Sequence, residues 1–411
     1  MNPQNKPRLR YFETAPNQQH IQGSDRYLYR PPGPSHNLVV IGTGTIGQEH
    51  MRVATLLGRC RIHGVYDSRP SSVAAALAQF GTYCPDSLVT YPDLDSACND
   101  PEADALLICT PNFTHYEIFQ TAARSGKPLF IEKPMATSLS DAAGMVRAAL
   151  DYGSFVQIGL QYRYKAQYVE AFHEAKQRKS LGSIRTVAMS EHRPPFLDKV
   201  EQWNKFNRYS GGTLVEKCCH YFDLINLMAA AKPARVFASG GQAVNFLDFE
   251  KDGHRSDIDD HAFVLIDYEN GIRASFTLNM FCPDFNEEMI VCGDLGRLIT
   301  RERFSIHRQT PAETSVTVEL GESGASRYSE AGYPRMIEKS GHHGATFYEH
   351  IALADQLDGR QTDCATPGQG LASLIVATAA QQSMQSGHAV QVDELIDREG
   401  LGDLATVFPW Y

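Results

Sequence analysis

The feature that most constrains the fold is a glycine-rich turn, Gly42-Thr-Gly-Thr-Ile-Gly47, between a predicted strand and a predicted helix. Gly42 permits a tight turn, Gly44 lets a pyrophosphate approach the backbone, and Gly47 lets the helix pack closely on the strand. The N-terminus of the helix offers unpaired N–H groups to an anion. The sequence therefore predicts a dinucleotide-binding turn formed by Gly42, Gly44, Thr45, Ile46 and Gly47.

Two residues after the next predicted strand bear on which dinucleotide binds. Asp67 ends that strand 20 residues after Gly47, where a carboxylate can accept hydrogen bonds from the ribose hydroxyls of NAD. Arg69 follows and offers a guanidinium to the 2′-phosphate of NADP. The acidic residue favours NAD, and NADP stays the less favoured alternative.

Strand and helix signals alternate from residue 37 to about residue 160, which is typical of a doubly wound parallel sheet in an α/β protein. Beyond residue 180 alternating apolar runs, joined by turns such as Asn270-Gly271, favour a mostly antiparallel sheet. We expect a dinucleotide-binding domain at 37–160 and a second domain at 161–411. Residues 1–36 are a polar extension, either a poorly ordered terminus or an arm, anchored by Tyr27, Leu28 and Tyr29, across a neighbouring subunit.

Composition excludes several classes of protein. The net charge of −10 over 411 residues argues against nucleic acid or an anionic membrane as the main partner. We expect neither a signal peptide nor a membrane span, because the first 36 residues hold no long apolar run and no apolar stretch in the sequence reaches 18 residues. Its nine cysteines are scattered, without a C-x-x-C pair, so we expect no disulfide framework, no metal site and a reducing, cytoplasmic setting.

Polar residues follow the strand that ends at Cys109. Thr110, Asn112 and His115 lie at the carboxyl end of that strand, the edge where ligands bind in open α/β sheets. We expect them to face the crevice and contact the cofactor, although a helix cap explains Asn112 equally well.

The next strand ends in Glu132-Lys133-Pro134. A lysine beside a nicotinamide can hydrogen-bond a substrate hydroxyl and stabilise the alkoxide as the hydride leaves. Burial is expected to lower the pKa of Lys133 toward the useful range. Pro134 holds the loop rigid and permits a cis bond before it.

A third candidate group is Gly211-Gly-Thr-Leu-Val-Glu216-Lys-Cys-Cys-His220-Tyr-Phe-Asp223. On one continuous helix over 213–230, Glu216, His220 and Asp223 share a face, so a carboxylate would brace the imidazole. A braced histidine has a defined tautomer and a pKa near working pH, as an acid–base group needs. A zinc site is disfavoured because Cys218 and Cys219 point away from that face.

These blocks resemble the Gfo/Idh/MocA family over residues 37–385, with Gly159-Leu-Gln-Tyr-Arg-Tyr164 and Gly293-Asp-Leu-Gly-Arg-Leu298 as further family landmarks. The resemblance implies an N-terminal Rossmann domain, a C-terminal open-faced antiparallel sheet that often forms a homo-oligomer interface, and hydride exchange between a sugar or cyclitol and a nicotinamide. By the same resemblance, Lys133, Glu216 and His220 are catalytic, with His220 as the acid–base group. Glu132 and Gln161 are expected at the cofactor, and Arg163 and Tyr164 at the substrate.

Two departures from the family pattern bear on the substrate. The acid is Glu216 rather than the commoner Asp, and Lys217 adds a cation beside it. The segment from Glu191 to Asn204 carries His192, Arg193 and Trp203, which suit an anionic group and a sugar face. We expect these residues and Lys217 to contact a carbohydrate with an anionic group, unless Arg193 and Lys199 are only solvated loop charges.

Three functions remain open from the sequence. The first is an NAD-dependent dehydrogenase of a sugar or cyclitol, in a dimer or tetramer. The second is an NAD-dependent glycoside hydrolase that oxidises C3 transiently and needs an extra base, for which Tyr164, His192 and Tyr221 are candidates. The third is a non-catalytic NAD-binding sensor, which the presence of Lys133 and His220 disfavours.

Overall fold

The computed structural model describes residues 33–404 except 306 and 309, together with residues 407 and 408. The predictions for residues 1–32, including the anchor at 27–29, lie outside the described residues. The first part of the chain forms these elements: β1 His36–Ile41, α1 Thr45–Leu57, β2 Cys60–Tyr66, α2 Pro70–Phe80, β3 Val89–Thr90, α3 Leu94–Cys98, β4 Ala105–Ile108, α4 His115–Ala122, β5 Leu129–Glu132, α5 Leu139–Leu150 and β6 Val156–Gly159.

The six strands form one parallel sheet in the order β3-β2-β1-β4-β5-β6, as the alternation of strands and helices predicts. In β1, Val39 and Ile41 join one apolar cluster while Leu38 and Val40 join another. Alternate residues of a strand point to opposite faces, so both faces of this sheet are covered. Ligands can therefore reach the sheet only at its edge, where the strands end.

The second part of the chain is built on a nine-stranded sheet. Its elements are α6 Ala166–Phe172, β7 Ile184–His192, α7 Asn207–Ser210, α8 Thr213–Glu216, α9 Cys219–Ala229, β8 Pro233–Gly241, β9 Glu250–Lys251, β10 His254–Arg255, β11 His261–Tyr268, β12 Arg273–Asn279, β13 Phe285–Gly293, β14 Arg297–Phe304, β15 Glu313–Glu319, β16 Arg327–Glu330, α10 Arg335–Glu338, α11 Ala345–Leu357, α12 Pro367–Ser386, β17 Val390–Gln391 and α13 Val392–Arg398.

The strand order is β16-β15-β14-β13-β7-β12-β11-β8-β17, and only the β7–β12 pair is parallel. The predicted mostly antiparallel sheet and the α/β fold class are confirmed. The predicted single helix over 213–230 is wrong, because the chain breaks between α8 and α9. The sequence analysis also missed β8, at the far side of this sheet.

The end of the chain returns to the first sheet. The Ile158 N–H of β6 donates to the Ala365 carbonyl, and α11 lies against α1. In α12, Thr366 and Gln369 form a capping box at the N-terminus. Among the described residues, no helix is both long and apolar enough to cross a membrane. The proposed division at residues 160 and 161 stays a prediction.

Candidate active site

The glycine turn has the geometry that a dinucleotide needs. Gly42 has a φ of 94°, and a Cβ there would lie 2.7 Å from the Cys109 carbonyl carbon. A Cβ on Gly47 would lie 2.0 Å from the Gly42 oxygen, whereas a Cβ on Gly44 would meet nothing within 4 Å. Gly44 thus faces open space, beside exposed Thr45 and partly buried Ile46, at a helix N-terminus that no side chain caps. The turn fits a pyrophosphate.

Asp67 and Arg69 lie beside this turn. The Asp67 carboxylate accepts hydrogen bonds from Thr43 N at 2.8 Å and from Arg69 N at 2.9 Å. These bonds fix the carboxylate at the end of β2, next to where the ribose of a dinucleotide would lie. The Arg69 guanidinium forms an ion pair with Glu201, a residue of the second part of the chain.

Thr110 and Asn112 lie at the same edge of the sheet, but His115 does not face it. The Asn112 amide donates to the Ser210 carbonyl at 3.2 Å and so ties β4 to the second part of the chain. His115 is fully buried, with its ring nitrogens 2.8 and 2.9 Å from the carbonyl oxygens of Pro134 and Thr110. Contrary to the prediction, His115 supports the loop instead of facing the crevice.

The Glu132-Lys133-Pro134 segment forms the next part of this edge, and its Lys133–Pro134 bond is cis. One Glu132 oxygen lies 2.8 Å from His50 Nε2, while the other accepts the Lys133 N–H at 3.1 Å. Glu132 is therefore engaged in positioning the backbone of Lys133. Lys133 Nζ reaches across the crevice and donates to the Glu216 carbonyl at 3.0 Å.

The break between α8 and α9 explains that contact. In a continuous helix the Glu216 carbonyl would accept an intrahelical hydrogen bond, whereas here it is free to accept one from Lys133. His220 lies in the first turn of α9, 2% exposed, and its ring stacks on Tyr162 with centroids 4.0 Å apart. The structure therefore places the Glu216 carbonyl against Lys133 and places His220 one helical turn further along, and the catalytic roles of these three residues stay a prediction.

The predicted bracing of His220 by a carboxylate is wrong. Asp223 instead accepts two hydrogen bonds from Arg163, from Nε at 2.7 Å and from Nη2 at 2.5 Å. Arg163 also donates to Gln369 at 2.8 Å, so its guanidinium joins α9 to α12. Among the described residues, no hydrogen-bond partner meets the buried His220 Nδ1.

The protonation states in this cluster follow from burial and neighbouring charge. Burial lowers the pKa of His220 well below its ordinary value, and Lys133 and Lys217 lower it further. Burial is the largest influence on Lys133 and opposes its charged form, but the negative charges of Glu216 and Glu132, with a contribution from Cys219, together outweigh burial and raise the pKa of this ammonium. These directions correct two predictions. The pKa of Lys133 is raised, not lowered, and the pKa of His220 lies well below its ordinary value, not near working pH.

Four cations surround Glu216 and Glu191: Lys133, Lys199, Lys217 and Arg193. Lys217 Nζ lies 3.2 Å from Glu191 and 2.6 Å from the Tyr162 hydroxyl, and Arg193 lies 3.5 Å from Glu191. Burial would raise the pKa of Glu216, but Lys133, Lys199 and Lys217 hold it below its usual range. Lys199 Nζ has no hydrogen-bond or ion-pair partner within the described ranges and lies 5.6 Å from the Trp203 ring. We call these six residues the cationic cluster.

The remaining residues predicted to contact substrate or cofactor lie in different surroundings. His192 follows the buried Glu191 in β7 and therefore lies on the opposite face of the sheet, paired with Asn279 and Asn286. Its predicted substrate contact is wrong. Trp203 lines a cleft with Phe113, Phe206 and Tyr209. Gln161 is buried and donates to Thr346 at 3.3 Å, and the Tyr333 hydroxyl donates to the Tyr164 carbonyl at 2.6 Å.

Sequence reasoning missed a buried polar group behind Lys133. His50 Nδ1 lies 2.8 Å from His350 Nε2, and both oxygens of fully buried Glu349 lack a hydrogen-bond partner in the described structure. His50, Glu132 and Glu349 each place a ligand atom within 4.8 Å of the others, a spacing that can hold a metal ion. The expectation of no metal site stays a prediction. Tyr162 was missed too, since only the fold brings it onto His220.

Comparison with known proteins agrees with this geometry. A family model described as the oxidoreductase family, NAD-binding Rossmann fold, matches residues 36–160, and one for the C-terminal alpha/beta domain of the same oxidoreductase family matches residues 176–392. The chain belongs to the Gfo/Idh/MocA family. As a member of this family it is an oxidoreductase that acts on CH–OH groups with a nicotinamide dinucleotide.

Several Gfo/Idh/MocA relatives span nearly the whole chain. Myo-inositol 2-dehydrogenase of Thermotoga maritima is 23% identical over 87% of this chain and 98% of its own length. An uncharacterised oxidoreductase of Bacillus subtilis, YrbE, is 25% identical over 86% of this chain and 96% of its own. The structure of levoglucosan dehydrogenase with NADH and levoglucosan superposes with a TM-score of 0.72 at 18% identity, covering 87% of this chain and 99% of that one, which shows a shared fold.

Proposed function

We propose that this enzyme oxidises a hydroxyl of a sugar, sugar derivative or cyclitol, and runs the reverse reduction, with NAD as its cofactor. The observation that carries the proposal is the hydrogen bond from Lys133 Nζ to the Glu216 carbonyl, four residues before His220, together with the effect of the Lys133 charge on the pKa of His220. The family and the glycine turn support a nicotinamide dinucleotide at the same edge. Relatives named for myo-inositol and levoglucosan support a polyhydroxylated substrate.

Lys133 and His220 would divide the acid–base work. Because the pKa of His220 is lowered, its imidazole is neutral at pH 7 and can accept the hydroxyl proton. Because the pKa of Lys133 is raised, it stays an ammonium and can stabilise the developing alkoxide by a hydrogen bond. The negative charge of Glu216 favours the protonated form of Lys133. A bound nicotinamide would supply the hydride acceptor.

The cationic cluster favours a substrate with an anionic group. Its four cations face only two carboxylates, and burial makes an excess of charge costly unless an anion balances it. Arg193 and Lys199 lie on the segment between β7 and α7, where a carboxylate or phosphate could reach them. Lys217, Trp203 and Tyr164 remain proposed contacts to the sugar.

A panel assay tests the proposal. The purified protein is incubated with NAD and, in turn, a cyclitol, a neutral hexose, a hexuronate, a sugar phosphate and an aryl glycoside, while NADH and released aglycone are followed. We expect stoichiometric NADH, with the highest kcat/KM on an anionic substrate and a selective loss of that preference in Lys199→Met. A preference for neutral sugars that survives this substitution would contradict the anionic assignment, and NADH from no polyol would contradict the proposal.

The glycoside hydrolase alternative loses support in the structure. His192 lies on the other face of the sheet, and the Tyr221 hydroxyl donates to Glu287 at 3.0 Å, so two of the three candidate bases are engaged elsewhere. Burial raises the pKa of Tyr164 well above its ordinary value, so the phenolate that could act as a base is scarce near neutral pH. Release of aglycone without NADH in the panel would restore this alternative. Family membership disfavours the non-catalytic sensor.

We also propose a cytoplasmic homo-oligomer, a dimer or tetramer. The nine cysteines are all free thiols, which suits a reducing compartment. Phe237, Phe263 and Leu265 are 40%, 59% and 56% exposed on neighbouring strands of the nine-stranded sheet. Such an apolar face favours burial against a second copy. Light scattering on the purified chain tests the subunit number.

A further inference from the structure

One ion pair joins the second part of the chain to the proposed cofactor site. Arg69 lies two residues after Asp67, at the start of α2, and its guanidinium pairs with the Glu201 carboxylate. The Arg69 backbone N–H donates to the Asp67 carboxylate at 2.9 Å, so the two residues are held together after the end of β2. In proteins with this fold, an acidic residue here recognises the ribose 2′-hydroxyl of NAD, and an arginine nearby accommodates the 2′-phosphate of NADP.

The backbone around Glu201 is arranged to hold this pair. Glu201 has a φ of 56° and Gln202 a φ of 59°, both in the left-handed region that non-glycine residues rarely adopt. Lys251 Nζ donates to the Glu201 carbonyl at 2.7 Å, and Gln202 N donates to the Lys199 carbonyl at 2.9 Å. A left-handed backbone at a non-glycine residue is energetically unfavourable, so it persists only where the surrounding contacts impose it.

We propose that Glu201 is a cofactor-specificity residue, which pairs with Arg69 and so denies the 2′-phosphate of NADP its cationic partner. The inference rests on the proposed preference for NAD. A free Arg69 would attract the two negative charges of a 2′-phosphate, whereas an Arg69 paired with Glu201 presents almost no net charge.

The test measures dissociation constants of NAD and NADP for the full-length protein without any sugar, by calorimetry. We expect Glu201→Gln to lower the Kd of NADP about fivefold, the size of a charge pair at an exposed site, and to change the Kd of NAD less than about twofold. The gain should shrink as salt is raised.

Two further variants locate the effect. Asp198→Asn removes a carboxylate from the same segment, one that pairs with Lys205 at 2.8 Å, and should leave both constants unchanged. In an Arg69→Gln background, Glu201→Gln should have no effect on NADP. An equal gain with Asp198→Asn, a gain that survives without Arg69, or parallel weakening of both dinucleotides would overturn the proposal.

These readouts separate the inference from the proposed function. A wild-type protein that binds NADP more tightly than NAD would contradict the proposed cofactor preference. The Kd ratio would still report whether Glu201 acts through Arg69. Since no sugar enters the measurement, a wrong substrate assignment leaves the test intact.

Discussion

Two buried charged clusters each place a lysine against Tyr162, and they differ in how their charges are satisfied. In one, Lys165 Nζ lies 2.5 Å from both Glu287 and Glu302, and Gln167 and Tyr168 add hydrogen bonds to these carboxylates. We call this the paired cluster. In the cationic cluster, both Glu191 oxygens lack hydrogen bonds within the described structure, although Lys217 and Arg193 lie at ion-pair distance. Outside the cluster, His220 Nδ1 also lacks a partner there.

This difference in hydrogen bonding suggests that the paired cluster has a structural role and the cationic cluster a chemical one. Buried polar groups are normally hydrogen-bonded, because each unpaired group costs about 1–3 kcal/mol. The paired cluster follows that rule except at Glu302 Oε1, which lies in an ion pair with His343, and it fastens α6 to the sheet. The cationic cluster leaves both oxygens of Glu191 for a ligand to satisfy. Substitutions of lysines in the two clusters therefore test whether one cluster serves catalysis and the other stability.

The largest expected effect is on turnover. Lys133→Met should lower kcat about 10³-fold by removing the hydrogen bond to the developing alkoxide, with little change in thermal stability. Steady-state kinetics and a melting curve check this. Lys127→Met, a change six residues earlier, should retain activity. Normal turnover in Lys133→Met would remove it from the mechanism.

Next comes stability in the paired cluster. Lys165→Met leaves two buried carboxylates without their cation and should lower the free energy of unfolding by about 3–5 kcal/mol. Urea unfolding measures the loss, with the more exposed Lys232→Met as the matched control. A loss below about 1 kcal/mol would mean that the paired cluster is not structural.

Glu349 offers a third case, a buried carboxyl for which the described residues provide no hydrogen bond. Burial raises its pKa well above the ordinary value, so the folded protein keeps a proton that the unfolded chain releases above about pH 4.5. Stability should therefore fall as pH rises, by at most about 1.4 kcal/mol per unit, and Glu349→Gln should remove that slope. Urea unfolding between pH 5 and 8 measures it, and a stoichiometric bound metal would contradict the protonated state.

A smaller effect concerns the proton acceptor. Because the pKa of His220 is lowered, kcat/KM for oxidation should stay flat from pH 8 to pH 6. Lys217→Met removes one depressing charge, so the pKa should rise and the acid limb should move up by less than one pH unit, burial being the larger cause. Lys217→Arg keeps the charge and should keep the profile. An unchanged limb in Lys217→Met would separate Lys217 from His220.

The smallest expected effect is at the surface of the same sheet. Arg301 pairs with Glu288, and its side chain is 56% exposed. Arg301→Ala should change the free energy of unfolding by less than about 1 kcal/mol, because water already solvates both charges. A loss comparable to that of Lys165→Met would show that burial does not explain the contrast.

Local patterns predicted much of this molecule. The alternation of strands and helices over 37–160 was predicted, as was the turn that holds Gly42 and Gly47. The roles expected for His115, His192 and Asp223 were wrong, because each depended on a long-range contact that spacing along the chain does not encode.

The parallel sheet and its glycine turn follow from local sequence alone, because strand length, glycine freedom and a helix start depend on a few neighbouring residues. The tertiary structure decided the charge states of the site. The break before α9 exposes the Glu216 carbonyl to Lys133, and burial among lysines makes His220 neutral. Both depend on what surrounds a group in three dimensions, since burial and Coulomb energy are set by distance through space.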